Sequence, residues 1–377
     1  MSPVYITASN VTAPIGLSTA EAWASVRQGA RSVGVFDDPQ LHPHPVCAAR
    51  FDAAQWKTIA AGTPHAELSK FEQLALFSAK DALQSAGMAS VNERTAFLLS
   101  TTKGNIEWLN ERPDERNRLS ESSRRISAAL GIVTKPVVVS HACVSGVSGI
   151  IQAARLIRAG LFDTVIVTGA DRLTPFVISG FASFQAMSDT PSRPFDAARN
   201  GINLGEAAAT VVLSSTPGIA PLAQILGGAT SNDANHISGP SRTGEELAIA
   251  VRNAIAESGL QASDIAAISA HGTATIYNDE MESKAFELLG LSGAPLHSLK
   301  GYTGHTLGAA GVLETALLAE SMRAGATIAS VGFENNGVPG KVNVSRESEQ
   351  REIPFALKTA SGFGGCNAAL VLGGVAG

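Results

Sequence analysis

Three stretches of the chain hold residues whose types and surroundings suit chemistry on a carbonyl. They are HACVSG around Cys143, AHGTAT around His271, and KGYTGHTLGAAG around His305. A thiol attacks carbonyls as its thiolate, so what surrounds Cys143 decides whether it is a nucleophile. Before it runs a short β-branched stretch, Pro136 to Ser140, and after it come small residues and an amphipathic helix. The helix sets Val147, Ile150, Ile151, Ala154 and Ile157 on one face. A thiol at that junction faces unpaired backbone N–H groups and the positive end of the helix dipole, which favour thiolate. The plainer alternative is a small buried core cysteine. Each histidine taken singly reads as an ordinary turn residue, and neither belongs to a helical HExxH pair, which argues against zinc. Taken together, all three lie just past a strand end in a turn of small residues, where open α/β sheets form sites.

The elements that must position them follow in order. Val4 to Ile6 reads as a strand followed by the turn-rich SNVTAPIG, and Ser18 caps a helix with Glu21 closing a capping box. Residues 30 to 65 read as irregular surface. A helix covers Ser69 to Ala86 and a strand Thr95 to Thr101. Lys103 to Arg125 is charge-rich and reads as a solvated face, or as a docking surface for an acidic partner. A strand at Thr164 to Thr168 ends in GAD, a long loop carries Phe176, Phe181, Phe184 and SRPFD, and Gly205 to Ser215 is a strand.

Thr216-Pro217-Gly218 marks a boundary between residues 1–215 and 216–377, after which the pattern restarts. Strands are expected at Pro221 to Gly228, Ile265 to Ala270, Pro295 to Leu299, Phe355 to Lys358 and Ala368 to Leu372. Helices are expected at Gly244 to Ser258, Asp279 to Leu289 and Gly308 to Arg323. GEAAATVVLSS closes the first half and GGCNAALVLGG the second. The alternation predicts α/β layers around a buried sheet, in two similar halves with a site at their junction.

Bulk numbers set the outer bounds. Hydrophobic residues make up 45% of the 377 and charged residues 16%, so much of the chain is interior. A net charge of −5 and a pI of about 5.9 argue against nucleic-acid binding. Cys47, Cys143 and Cys366 are too scattered for a disulfide framework or a clustered metal site. The N-terminus lacks a basic-then-apolar leader and no apolar run is long enough to span a bilayer, so a cytoplasmic protein is expected.

On its motifs the chain resembles the β-ketoacyl-[acyl-carrier-protein] synthases, decarboxylating condensing enzymes of fatty acid and polyketide assembly. HACVSG, SRPFD, AHGTAT, LKGYTGHTLGAAGVLE and SGFGGCNAAL occur in that family's order and spacing over nearly the whole chain. The resemblance implies a thiolase-like fold of two βαβαβαββ halves in α-β-α-β-α layers. It implies that Cys143 takes an acyl group from a carrier-protein thioester, with the N–H groups of Cys143 and Phe363 as oxyanion hole. His271 and His305 would hold the malonyl thioester oxygen and stabilise the enolate formed as CO₂ leaves. A neutral imidazole suits that task because it donates a hydrogen bond without a permanent full charge. Lys300 and Glu314 match a supporting pair, Thr273 and Thr275 the hydroxyls that hold the phosphopantetheine arm, and Phe363 the gate over the acyl pocket. No metal or redox cofactor is implied.

The partners implied are acyl- and malonyl-loaded carrier protein and a second subunit, either a copy of this chain or a related ketosynthase or chain-length subunit. Carrier proteins are acidic, so a basic patch is expected at the tunnel mouth, with Arg116, Arg118, Arg124 and Arg125 as candidates. A coenzyme A-dependent thiolase-like transferase, in which Cys366 would be a second catalytic cysteine, is one rival. A silent subunit of a heterodimer is the other. Cys366 follows GFGG and reads as a packing residue. His141, two before the nucleophile, replaces the family's usual small hydroxyl residue and reads as a strand-end histidine with a structural bond. Thr359 and Ala360 stand where Asn-Ser is usual, and Lys103 to Lys135 is shorter than in common elongating members.

Overall fold

The computed structural model describes residues 2–88, 91–109, 115–234 and 239–375. The first half runs β1 (Tyr5–Thr12), α1 (Thr19–Arg27), β2 (Val33–Phe36), β3 (Val46–Ala49), α2 (Ala53–Gly62), α3 (Lys70–Ser85), β4 (Thr95–Ser100) and α4 (Leu119–Ala129). It continues with β5 (Val137–Val139), α5 (Ser145–Arg158), β6 (Thr164–Asp171), α6 (Pro175–Ser183), β7 (Leu204–Gly205) and β8 (Ala207–Ser214). The second half begins with β9 (Ala223–Asn232), α7 (Glu245–Ser258), β10 (Ala267–Ser269), α8 (Ile276–Leu288) and β11 (Pro295–His297). It ends with α9 (Lys300–Thr303), α10 (Ala310–Ala324), β12 (Asn343–Val344), β13 (Phe355–Gly362) and β14 (Cys366–Gly373).

Two five-stranded sheets of one topology meet edge to edge. The first has the order β5-β4-β6-β8-β1 and the second β11-β10-β13-β14-β9, with β12 added at its far edge. In each, three strands run parallel and the last two antiparallel to their neighbours. The sheets join where Tyr5 and Ile6 face Gln224 and Ala223. By this equivalence β5 matches β11 and β4 matches β10. Cys143 therefore follows the edge strand of one half, and His271 follows the second strand of the other.

Helices α5 and α10 pack on strands of both halves and form the middle layer, while α3 covers the first sheet and α7 the second, with α8 beside α7 in the same apolar cluster. This is the α-β-α-β-α arrangement that the family resemblance implied, and it contains the α/β layers that the alternation of strands and helices predicted. The largest apolar cluster fills the middle layer with Val147, Ile150, Ile151, Val312, Leu313 and Leu317. The two helices touch backbone to backbone. A Cβ on Gly146 would lie 2.8 Å from Gly311 Cα, and one on Gly311 would lie 2.4 Å from Val147 N. Only glycine permits that approach.

Four segments differ from the sequence expectation. The turn expected after Ile6 is strand, because β1 keeps pairing with β8 through Thr12, where the Thr12 hydroxyl donates to Asn10 Oδ1 at 2.8 Å. The stretch 30 to 65 is ordered. β2 pairs with β3, and α2 starts at an Asp52–Gln55 capping box that a run of Pro, His and Gly upstream masked. The Phe-rich loop contains α6, with Thr174 as cap and Pro175 at its first turn. The charge-rich stretch contains α4, whose Ser122, Ser123, Ile126 and Ser127 face inward.

Candidate active site

Cys143 sits in a turn that the local sequence forces tight. Ala142 takes a left-handed φ of 45°, and Ser145 clamps the turn by accepting from His141 N at 2.8 Å and donating to Ala142 O at 2.6 Å. Helix α5 begins immediately afterwards, with Val144 as its N-cap residue. Gly362, at the end of β13, lets that strand pass close by: a Cβ there would stand 3.0 Å from Cys143 N. The Phe363 N–H donates toward the sulfur. Burial nevertheless pushes the Cys143 thiol up to about 11, against the pull of Lys103, Lys300 and the Phe363 N–H. This corrects the expectation that the helix start favours thiolate in the free protein. Desolvation of the anion outweighs partial charges that act over a single turn.

Helix α10 and the 3₁₀ turn before it carry the second group. His305 follows Gly304, and its own backbone N–H donates to Asn203 O at 2.7 Å. Its Nδ1 accepts from Leu307 N at 3.3 Å, so the neutral ring carries its proton on Nε2, which is buried without a protein partner. His271 leaves the end of β10 with its own Nδ1 buried and unpartnered. The two rings stand perpendicular with centroids 5.1 Å apart. Burial holds both imidazoles well below their ordinary range; Lys300 and Lys358 act in the same direction on each ring, and Lys103 on His305. Both are neutral at neutral pH.

A set of buried charges fixes the His271 turn. Glu282 on α8 accepts from His271 N at 2.8 Å and Gly272 N at 2.6 Å, and also from Thr359 Oγ1 at 3.0 Å. Lys300 Nζ donates to His271 O at 2.6 Å and to Glu314 Oε1 at 2.7 Å. Lys358 Nζ lies 2.7 Å from the other Glu314 oxygen. Burial alone would push the Glu314 carboxyl up, but the two lysines together hold it below its ordinary value. Asp171, at the end of β6, ties the first half to the His305 turn by accepting from Thr102 N at 2.9 Å and Gly308 N at 2.7 Å.

Cys143, His271 and His305 line one cavity of about 380 Å³, with Thr273, Thr275 and Phe363 also in its wall. The Thr273 and Thr275 hydroxyls are 2.8 Å apart. The Phe363 ring is stacked on Phe181 at 5.6 Å and meets Phe184 edge-on at 5.2 Å. Lys300 and Glu314 stand behind the histidines and outside the cavity wall. Every residue given a part in the condensation by the sequence reading is thus in or directly behind one cavity.

Sequence reasoning missed Glu282, Lys358, Asp171 and Lys103. Two signals were there to be used: a lysine inside the apolar strand FALKTASG, and the strand-terminal GAD. Other residues fall outside the site. Cys366 does not line the cavity and packs at the start of β14, where Asn232 Nδ2 approaches its sulfur at 3.8 Å. His141 lies with Nδ1 3.5 Å from Ser148 Oγ, the structural bond expected of it.

The arginine run is not the basic patch expected at the mouth. Arg118 pairs with Glu115 at 3.0 Å, Arg124 with Glu121 at 2.7 Å, and Arg125 lies 3.5 Å from Glu72. Arg116 stacks on Trp108 at 4.9 Å. Three of these four charges thus meet an acidic group within the chain, and residues 110–114 of the charge-rich stretch lie outside the described residues. Among the described residues no group of three or more His, Cys, Asp or Glu is placed to hold a metal ion, and no helix is long and apolar enough to cross a membrane.

Comparison with known proteins gives the same picture over the whole length. The β-ketoacyl synthase N-terminal domain matches residues 1–217 and the β-ketoacyl synthase C-terminal domain residues 222–334. A 3-oxoacyl-[acyl-carrier-protein] synthase 2 of Rhizobium meliloti is 31% identical, covering 99% of each chain. The tetracenomycin polyketide synthase ketoacyl synthase alpha subunit of Streptomyces glaucescens is 30% identical over 98% of this chain and 96% of that one. Among solved structures, the ishigamide ketosynthase/chain length factor superposes with a TM-score of 0.89 at 26% identity, covering 100% of both chains. A β-ketoacyl synthase of Burkholderia phymatum gives 0.86 at 25% identity, with the same full coverage. With a thiolase-like fold and full-length relatives that are acyltransferases, the chain belongs to the β-ketoacyl synthase family.

Proposed function

We propose that this chain joins an acyl group, held as a thioester on Cys143, to the two-carbon unit of a malonyl-[acyl-carrier protein]. The observation that carries the reading is the convergence of one thiol and two neutral imidazoles on a single cavity. In the first half-reaction the Cys143 sulfur attacks the carrier thioester, the acyl group moves to sulfur, and the proton ends on the departing pantetheine thiol. The backbone N–H groups of Cys143 and Phe363 receive the oxyanion. In the second, the malonyl carboxylate leaves as CO₂ and the electron pair is held as an enolate whose oxygen takes hydrogen bonds from His271 and His305. The enolate carbon attacks the acyl thioester, the Cys143 thiolate leaves and gains one proton, and a β-ketoacyl-carrier is released.

The raised proton affinity of Cys143 in the free cavity fits this order. A sulfur that is thiol at rest gives up its proton in the course of the attack, to the departing pantetheine thiol. Thr273 and Thr275 hold the pantetheine arm, which the carrier brings with it; the scheme needs no metal or redox cofactor. Phe363, between Phe181 and Phe184, gates the acyl side. Lys300 and Glu314 support the histidine turn. At the rim, exposed Arg242 follows the cavity residues Pro240 and Ser241, and Lys284 Nζ donates to Arg242 O at 2.7 Å. We assign these two cations, in place of the arginine run, to docking an acidic carrier.

Among the described residues no strand pairs with the outer edge of β5, Val137–Val139, which is half-buried and suits pairing with a second subunit, either another copy or a related chain. We place the reaction in the cytoplasm. The test is intact mass after mixing the protein with a panel of acyl-carrier thioesters and then with malonyl-carrier. The expected outcome is an adduct on Cys143 that the chase releases as a β-ketoacyl product two carbons longer. An adduct that survives the chase would refute condensation, and no adduct with any donor would refute acyl transfer.

A further inference from the structure

Lys358 lies in the middle of the apolar strand β13 and has no solvent exposure. A buried ammonium persists only where charge and hydrogen-bond partners replace water. Its Nζ donates to Thr359 O at 2.6 Å, Ser269 O at 3.2 Å and Ala270 O at 3.3 Å, and lies 2.7 Å from Glu314 Oε2. Lys300, on the other oxygen of the same carboxylate, takes His271 O at 2.6 Å. Two ammonium groups bridged by one carboxylate therefore take the carbonyls of three successive residues, Ser269, Ala270 and His271. These are the residues at which the chain leaves β10 to enter the site. From the other side Glu282 takes the next two amides, His271 N and Gly272 N.

We propose that Lys358 is a positioning residue of the condensing site, completing a Lys–Glu–Lys bridge that fixes the His271 turn and sets a second buried positive charge behind both imidazoles. The inference rests on the condensation reading given above. Glu314 can balance only one of the two ammonium charges; Glu282 also favours the Lys358 charge, while burial pulls the Lys358 ammonium down and pushes the Glu282 carboxyl up. Among the described residues, the charged groups that act on the rings are Lys300 and Lys358 on both, Lys103 on His305 and His305 on His271, and Asp233 and Tyr277 also line the cavity. Glu282 meets the His271 turn at its backbone, Asp171 meets the His305 turn at Gly308 N, and Cys143 shares the cavity. Positive charge on Lys358 opposes protonation of both rings, and protonating His305 would place a hydrogen on Nδ1 against the Leu307 N–H from which it accepts, breaking the bond that fixes the ring for the enolate step. Removing that charge raises the proton affinity of both rings, so the decarboxylation rate falls at the acid end first. The Cys143 thiol feels Lys103 and Lys300, with Lys358 absent from its principal neighbours, so it serves as an internal control.

The experiment measures malonyl-carrier decarboxylation between about pH 4 and 8.5 for the wild type, K358M and K358R, with the rate of Cys143 alkylation by iodoacetamide measured in parallel. K358M is expected to move the acid limb up by about one pH unit, roughly tenfold in rate on that limb, with a smaller loss at the alkaline end. K358R keeps the charge and is expected to keep the wild-type limb. Alkylation is expected to stay within about twofold in both variants. A K358M limb at the wild-type position, or a K358R limb displaced as far as that of K358M, would overturn the inference. If K358M does not yield folded protein, K358Q, which keeps a donor for the strand carbonyls, gives the same readout. If the wild type itself does not decarboxylate malonyl-carrier, the condensation reading fails. The Lys358 inference is then decided by NMR titration of the His271 and His305 rings in wild type and K358Q: a raised ring pKa in the variant supports it and an unchanged one overturns it.

Discussion

Replacing Gly311 by alanine is expected to damage stability and catalysis together, for one geometric reason. The added methyl would lie 2.4 Å from Val147 N and 2.8 Å from Gly146 C, which are backbone atoms of the facing helix with no rotamer to yield. Relief therefore requires α5 and α10 to separate by about 1 Å, since ordinary contact begins near 3.5 Å. Overpacking of this kind costs roughly 1–3 kcal/mol, which for a chain of this size lowers the melting temperature by about 1–4 °C. The catalytic effect is expected to be larger than the stability effect. Helix α5 starts beside Cys143, and α10 follows the His305 turn and carries Glu314. Moving the helices apart moves the nucleophile away from the enolate donors, and a misplacement of about 1 Å can cost on the order of a hundredfold in rate. The assay pairs thermal unfolding with condensation kinetics for G311A and, as a control, G180A. Gly180 also lies in a helix, but a methyl there meets nothing within 4 Å, and alanine there is expected to be neutral or to stabilise by up to about 1 kcal/mol. A G311A protein with wild-type melting and wild-type turnover would refute the backbone-contact argument.

Three further outcomes follow from the site. Alkylation of Cys143 in the free protein is expected to be slow at pH 7 and to rise about tenfold per pH unit toward its raised value of about 11, because a raised thiol pKa leaves less thiolate below it; a rate that levels off by pH 8 would contradict the burial argument. Replacing His305 by alanine is expected to lower malonyl decarboxylation by about a hundredfold or more while leaving acyl transfer to Cys143 within several-fold, measured by separate single-turnover assays; equal losses in both steps would remove His305 from the enolate role. Charge reversal at the rim, R242E with K284E, is expected to raise KM for carrier-borne substrates several-fold and to leave small thioester analogues unchanged, and an equal response of both substrate types would discard that docking assignment.

Much of this site is legible in the chain because its parts are local. The strand, the small-residue turn and the periodic helix around Cys143 lie within one continuous stretch, and period and turn chemistry act over a few residues. The same holds for the two histidine turns, and for Ser69 with Glu72, which form the capping box that starts α3. Elements were missed where the local signal was diluted: α2 behind a Pro- and His-rich run, and α6 in a loop whose phenylalanines drew attention from its Thr174-Pro175 start.

What the sequence by itself determined is therefore the identity of the reacting groups and the strand–turn setting of each. Tertiary structure alone decided their electrostatic state and their support. The dipole of α5 is a local feature and favours thiolate, but burial of Cys143 comes from β13 and the opposite half, and it wins. Lys358, Glu282 and Asp171 act on turns far from them in sequence, through carbonyls and amides that only folding brings within reach. Desolvation and Coulomb forces depend on distance through space, and two half-sheets joined across a glycine-packed helix pair set those distances.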